Sequence, residues 1–486
     1  MKVFEESSDK KLYMSGKDVV TMEKSKKLSL VQLIGITMAF FGTVRSVPTL
    51  AATGWTQISY LIAAVVLFAI PIALIAAELA TAYPKEGGPQ VWVKEAFGER
   101  FGFVTSWLLW VQMFFGMVMI ASTVGVMIGY GVGSPKLAQS NIFIFICIIV
   151  GYWLVTLLNM KFDMVKVVGN WGAIIGVYIP FALLIILGLI YLAKFGINPH
   201  GYLAGGFSAS KVVPNFHNSG TLTLFSAIVF IFAGIEISSV HANNIDNPKK
   251  NYPVAVIFTL IVIIILNLIT GLTMANAVPN GTMEFSNILQ PFSIYFKALG
   301  IPMIFTNIIG WMIAIGILAQ LSAWVLGPSK AMIKVAEEGL LPKVFQKRTK
   351  KGIPVTFVLI QAVVISLLGF IYVIVPNVNT AFVMITITTT IIYCLAYILM
   401  IFAIIKLRYS KPDLERPFKL GGKGTMWFVA ILALIGVFLT IIASLIPLKG
   451  INPLGYIAFQ VIASAAMFII PLIIYACKKP SWKKDA

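Results

Sequence analysis

Runs of about twenty apolar residues recur from one end of this chain to the other, and no other feature limits its fold as strongly. A helix of roughly 20 residues crosses the ~30 Å hydrocarbon layer of a bilayer. Only helices and closed barrels can do so without stranding backbone polar groups in lipid. Each run is too long for a barrel strand and lacks strict alternation, so the expected fold is an all-α polytopic membrane protein. Twelve transmembrane helices are expected, at 30–52, 56–80, 103–130, 141–160, 168–193, 221–243, 253–277, 301–326, 354–375, 380–405, 426–446 and 453–476. The first follows about thirty polar residues and has no cleavage-type motif of small residues, so it reads as an anchor and not a signal peptide. With 59% hydrophobic and 11% charged residues, against about 45–50% and 25% in soluble domains, a soluble fold would expose too much apolar surface.

The formal charge of +19 would suggest nucleic acid as a partner, were it not for where the charges lie. Of the 37 Lys and Arg residues, Lys136, Lys194, Lys211, Lys297 and Lys449 fall in the loops of one side and Arg45 falls inside the first span. All the others occupy the two termini and the alternate loops. By the positive-inside rule both termini are cytoplasmic, and the protein is a multi-pass resident of the cell membrane. The partner of the basic charge is the lipid bilayer, and no nucleic acid is expected. Cys147, Cys394 and Cys477 lie in or at the end of apolar runs without metal-type spacing, so no metal or cofactor is expected. No phosphate loop occurs, since Gly421-Gly422-Lys423-Gly424-Thr425 lacks the spacing, and no catalytic set is visible. The chain does not read as an enzyme.

The expected organisation is a cytoplasmic tail over 1–28, five helices over 29–193, an outer loop over 194–220, five more helices over 221–405, two further helices over 406–477 and a short cytoplasmic tail over 478–486. Two groups of five spans enter the membrane in opposite orientations, as in a 5+5 inverted repeat. In such repeats interrupted helices at matching places mark the binding site. Helix 1 is interrupted at Gly42-Thr43-Val44-Arg45, with Pro48 just beyond, and helix 6 at Ala233-Gly234-Ile235-Glu236. Unwound backbone must line a cavity, where free N–H groups favour a carboxylate and free carbonyls an ammonium.

Arg45 costs at least ~2.5–3.5 kcal/mol at the bilayer centre unless it is paired or faces water. It either receives a substrate carboxylate or neutralises Glu236. Glu236 in turn either carries a proton during transport and gates it, or ties the two broken helices together. Gln112 is a substrate-lining amide or a helix-to-helix contact. Phe230, one turn before Gly234, closes over a ligand or only packs, and Trp324 presents the same choice. Thr386, Thr388, Thr389 and Thr390 read as hydroxyls satisfying their own helix, and Glu78 as a tether for the loop that follows it.

Pro84-Lys85-Glu86-Gly87-Gly88-Pro89 after Ala77-Glu78-Leu79-Ala80, Gly234-Ile235-Glu236 before Asn247-Pro248-Lys249-Lys250, and Trp324-Val325-Leu326-Gly327-Pro328-Ser329 before Glu338-Gly339-Leu340-Leu341-Pro342 are long motifs in the right order. Together they resemble the amino acid–polyamine–organocation superfamily over about residues 30–480, and most closely its glutamate/GABA antiporter group. The Gly-Ser-Gly turn of arginine/agmatine exchangers is replaced here by Gly42-Thr43-Val44-Arg45-Ser46, and their helix-six tryptophan falls at Phe230. The resemblance implies a LeuT-type fold with broken helices 1 and 6, and a midplane site for a small-molecule substrate. It implies a secondary active transporter of amino acids or their decarboxylated amines, an antiporter working by alternating access. Proton-coupled symport is the alternative. A gated channel would need a continuous polar stripe, and a sensor would need an output domain.

Overall fold

The computed structural model describes residues 3–5, 10–15, 18–23, 29–30, 46–84, 88–162, 172, 174–214, 219–236, 247–349, 351–448 and 450–483. Its helices are α1 (Val47–Ala51), α2 (Gly54–Ala82), α3 (Pro89–Phe97), α4 (Glu99–Gly131), α5 (Asn141–Lys161), α6 (Ile174–Phe195) and α7 (Ser219–Val229). They continue with α8 (Pro248–Ala277), α9 (Gln290–Leu299), α10 (Ile304–Glu337), α11 (Val355–Ile374), α12 (Val378–Ser410), α13 (Lys423–Ser444) and α14 (Pro453–Ala476). Among the described residues, ten of these are long and apolar enough to cross a membrane. The expected helices 1 and 6 contribute α1 and α7, and residues 31–45 and 237–243 of those spans lie outside the described residues.

From residue 46 onward the described chain is helix and connection, as the apolar runs require. Outside the spans, the N-terminal tail adds three short strands. There β1 (Val3–Glu5), β2 (Lys10–Ser15) and β3 (Asp18–Glu23) pair antiparallel in sequence order, with Val3 opposite Tyr13 and Leu12 opposite Thr21. Val, Tyr, Phe and Thr suit strands, and tail residues outside an apolar run have no membrane to force them into helix.

Helix ends follow local chemistry. Asn377 and Asn452 cap α12 and α14 by accepting from backbone N–H groups, and Pro89 opens α3 at a position where no N–H is needed. Helices α6 and α10 cross at Gly176 and Gly316, where a Cβ on either residue would collide with the other backbone.

Two hydrophobic cores form. The first gathers α4, α5, α9, α10, α11 and the first half of α12, through Ile392, with Ala396 beyond it. The second gathers α2, α3, α7 and its following turn, the first half of α8, α13 and the second half of α12, from Tyr393. Helix α4 is buried along nearly its whole length, whereas α14 shows most of its surface. This matches the rule that a helix apolar all round is either enclosed or faces lipid.

Candidate functional site

Phe230, Leu109 and Leu399 are part-buried side chains that pack against both cores. They mark a seam, and the helix-six interruption lies on it. Helix α7 ends at Val229 and tightens into a 3₁₀ turn over Phe230–Phe232. Ala233 then turns extended, at φ −69° and ψ 135°. Gly234 follows at φ +96°, a conformation that only glycine adopts without strain. The backbone thus leaves the helix one residue before Gly234, and the N–H and C=O groups there need partners from elsewhere.

One of those partners is a side chain. Tyr397 on α12 accepts the Gly234 N–H at 2.7 Å and donates its own hydroxyl proton to Glu236 Oε2 at 2.6 Å. Glu236 is 1% exposed, and its Oε1 has no hydrogen-bond partner among the described residues. Around this group stand three rings. Tyr393 stacks on Tyr397 with centroids 5.6 Å apart. Phe68, from a wide π turn in α2 over Val65–Ala69, meets Tyr397 edge-on at 5.4 Å. Phe230 lies tilted 6.5 Å from Tyr393. Burying a carboxylate beside an interrupted helix is costly unless a charge or a donor compensates it, so an unpartnered oxygen here singles out the place.

Several expected residues converge on this seam. Ala233, Gly234 and Glu236 form the interruption itself, and Phe230 opens it. Gln112 on α4 is buried and donates to the carbonyl of Leu109, one of the seam residues, at 3.1 Å. Trp324 lies on α10, part-buried against the first core. Gly42, Thr43, Val44 and Arg45 lie outside the described residues. The chain next to them, Val47–Ala51, is fully buried and packs against α8. The four threonines of α12 each donate to the carbonyl one turn back, at 2.8–2.9 Å. Thr386 also donates to the Met119 thioether at 3.1 Å and Thr388 to Gln460 Oε1 at 2.8 Å, so these two tie α12 to α4 and α14 as well as serving their own helix.

Glu78 holds more than a neighbouring loop. Both of its oxygens accept from Arg408, at 2.6 and 2.7 Å, and Arg416 and the Leu420 N–H approach as well, at 3.2 and 2.7 Å. All three side chains are buried. Outside the spans, two exposed pairs flank this hub. The hydrogen bond from Lys94 to Glu338 holds that ammonium above the usual lysine range, and Glu95 does the same for Lys411.

Tyr393, Tyr397, Phe68 and Arg408 were not singled out by sequence reasoning. Two tyrosines one turn apart in a membrane helix did carry a signal, since a buried phenol needs a partner. Arg408 passed as one more basic residue at a helix end. No group of three or more His, Cys, Asp or Glu that could hold a metal occurs among the described residues. Among the described residues the seam has no paired nucleophile and base, and offers instead a hydrogen-bonded carboxylate, an unwound backbone and ring faces.

The family model for amino acid permease matches residues 28–474. An uncharacterized transporter of Legionella pneumophila is 33% identical over 432 residues, which is 88% of this chain and 91% of that protein. A glutamate/gamma-aminobutyrate antiporter of Lactococcus lactis is 29% identical over 476 residues, covering 93% and 90% of the two chains. A probable agmatine/putrescine antiporter of the same species is 27% identical over 438 residues, covering 88% and 90%.

Proposed function

The chain belongs to the amino acid permease family, and from that premise we propose that it is a secondary exchanger, trading an amino acid for an amine by alternating access across the cell membrane. The reading rests on the interruption at Ala233-Gly234, with the Glu236 carboxylate buried beside it and one oxygen left without a described partner. That oxygen is suited to the ammonium shared by amino acids and amines. Phe230 and Gln112 stand on the two sides of the seam where a small substrate would lie, with Trp324 on the first core. In this reading α1 and α7 are halves of helices 1 and 6, and the chain has twelve spans in a 5+5 repeat with both termini cytoplasmic. The charge distribution among the loops supports that topology. The relatives named for glutamate/GABA and agmatine/putrescine exchange point to acid-for-amine or amine-for-amine trade.

Arg45 is assigned to the substrate carboxylate. A guanidinium pairs with a carboxylate through two hydrogen bonds, which lysine copies poorly. Arg45→Lys should therefore weaken amino acids by about ten- to a hundredfold and spare the matching amines. Equal losses for both would return Arg45 to the role of partner for Glu236. One observation favours a second reading, proton-coupled symport, because a proton on Glu236 would satisfy the same oxygen that an ammonium would. Counterflow separates the two. Proteoliposomes preloaded with unlabelled glutamate, GABA, agmatine or putrescine are scored for uptake of each labelled partner. Exchange predicts uptake that requires an internal substrate, whereas uptake into empty vesicles driven by an imposed pH gradient would establish symport.

A further inference from the structure

The buried Glu78–Arg408 pair lies well away from the interruption, yet both residues share helices with the aromatic group that meets it. Helix α2 carries Phe68 and Glu78, and α12 carries Tyr397 and Arg408. Phe68 touches Tyr397, and Glu78 binds Arg408. The two helices therefore run in the same direction and meet at two matched levels. The steps between the levels agree. Ten residues separate Phe68 from Glu78 and eleven separate Tyr397 from Arg408, so at 1.5 Å per residue the spacings are about 15 and 17 Å. Eleven residues are also close to three full turns, which puts Tyr397 and Arg408 on one face of α12.

The lower contact is built for rigidity. Arg408 presents Nε and one terminal nitrogen to the two Glu78 oxygens at 2.6 and 2.7 Å, a fork-on-fork pair with little freedom to slide. Its remaining terminal nitrogen donates to the Gly421 carbonyl at 3.2 Å. Arg416 approaches Glu78 with Nε and spends its other donors on the carbonyls of Leu407, Lys411, Pro412 and Leu414, closing the end of α12. Both Glu78 oxygens and all three guanidinium nitrogens of Arg408 are thus engaged. The upper contact is the looser one. Phe68 sits in the wide turn of α2, and Tyr397 is aligned by one edge-on ring and one stacked ring.

We infer that Glu78 and Arg408 are positioning residues for the substrate site. Their bidentate pair sets the register of α12 against α2, and that register holds the Tyr397 hydroxyl between the Gly234 N–H and Glu236. The inference rests on the seam being the substrate site. A simple fold-stabilising ion pair would need only opposite charges. A register clamp also needs the length and the fork.

The test is a double-mutant cycle in the full-length protein, combining Arg408→Lys with Tyr397→Phe. Lysine keeps the buried positive charge and loses the fork. If the clamp acts through Tyr397, Arg408→Lys should raise the KM for exchange by about tenfold, short of the roughly hundredfold that a full 1 Å misplacement can cost. It should also alter the pH profile in the same sense as Tyr397→Phe, and the double mutant should match Tyr397→Phe alone. Losses that multiply would overturn the inference. So would an Arg408→Lys protein that melts earlier but keeps the wild-type KM and pH profile. A second measurement needs no substrate. The fluorine resonance of 3-fluorotyrosine at position 397 should move in Arg408→Lys, and an unmoved resonance would overturn the clamp. Should wild-type protein exchange nothing in the counterflow panel, the proposed exchange fails while the fluorine measurement still tests the clamp. Should Arg408→Lys not fold, Glu78→Asp takes its place in the cycle, one methylene shorter with its charge kept. A match to Tyr397→Phe in the double mutant then supports the clamp, and losses that multiply overturn it.

Discussion

The core around α4 and the core around α2 are both filled with large apolar side chains, but they place their buried polar groups differently. In the first core those groups close on one another in a web spread over four helices. Tyr152 and Gln361 both donate to the Met117 thioether, at 3.0 and 2.8 Å, and Ser329 donates to Gln361 at 2.8 Å. Tyr372 donates to Ser122 and Ser322 to Asn159, at 2.7 and 2.9 Å. In the second core the described charges collect at two levels, the hub at Glu78 and the interruption at Gly234–Glu236, with apolar packing between. A web of neutral pairs has one good arrangement and makes a frame. Two separate levels of buried charge, with the Ser226–Ser444 hydroxyl pair joining α7 to α13 elsewhere in this core, allow a second arrangement at lower cost, which is what a moving part needs. The wide turn in α2 and the non-helical segment after α7 both belong to this second core.

The largest expected break in that contrast is Glu78→Ala. It leaves Arg408 and Arg416 buried without their carboxylate and should cost about 3–5 kcal/mol, read as a lowered melting temperature in detergent. Gly234→Leu comes next. A leucine cannot hold φ +96°, so substrate affinity should fall by at least about a hundredfold, ~2.7 kcal/mol, while the melting temperature stays near wild type. Binding at wild-type affinity would remove the helix-six interruption from the site.

Tyr397→Phe deletes one hydroxyl that serves both the Gly234 N–H and Glu236. It should lower exchange by about tenfold, ~1.4 kcal/mol, and shift its pH profile; an unchanged profile would leave the phenol a packing role only. Gln361→Leu sharpens the comparison from the other side. Met117 keeps Tyr152 and Ser329 keeps the Val325 carbonyl, so the change should cost only about 1 kcal/mol of stability and leave KM unaltered. The smallest effect belongs to Lys94→Ala. Its pair with Glu338 joins α3 of the second core to the end of α10. At this exposure it should contribute no more than about 0.2–1 kcal/mol and fade with added salt. Because Lys94 titrates above its ordinary 10.5, the ammonium's contribution is complete below that value and is lost only as pH rises beyond it. Lys94→Ala should therefore leave the neutral-range pH profile of exchange unchanged, and an altered profile would trace part of that dependence to this pair.

Ten membrane helices and the break at Gly234 were legible because each rests on local chemistry. A run of apolar residues has one stable environment, and a glycine beside an acid at membrane depth interrupts a helix whatever surrounds it. Glu78 was legible as a tether but not as the centre of a buried hub, because its partners sit 330 and more residues later, at the end of another helix and in the connection beyond it. Counting Arg408 among the basic loop residues hid the fact that this guanidinium is only 5% exposed.

By itself the sequence determined that the chain is a bundle of membrane helices and that the apolar run through Gly234 is interrupted there, since these follow from hydropathy and backbone conformational freedom residue by residue. The tertiary structure alone decided that Tyr397 takes the Gly234 N–H, that Phe68 and Tyr397 meet at one level while Glu78 and Arg408 meet at the next, and that the seam runs past Phe230. Membrane helices are apolar on every face, so periodicity does not say which face meets which neighbour. That choice is made by shape and by a few buried hydrogen bonds between residues far apart in the chain.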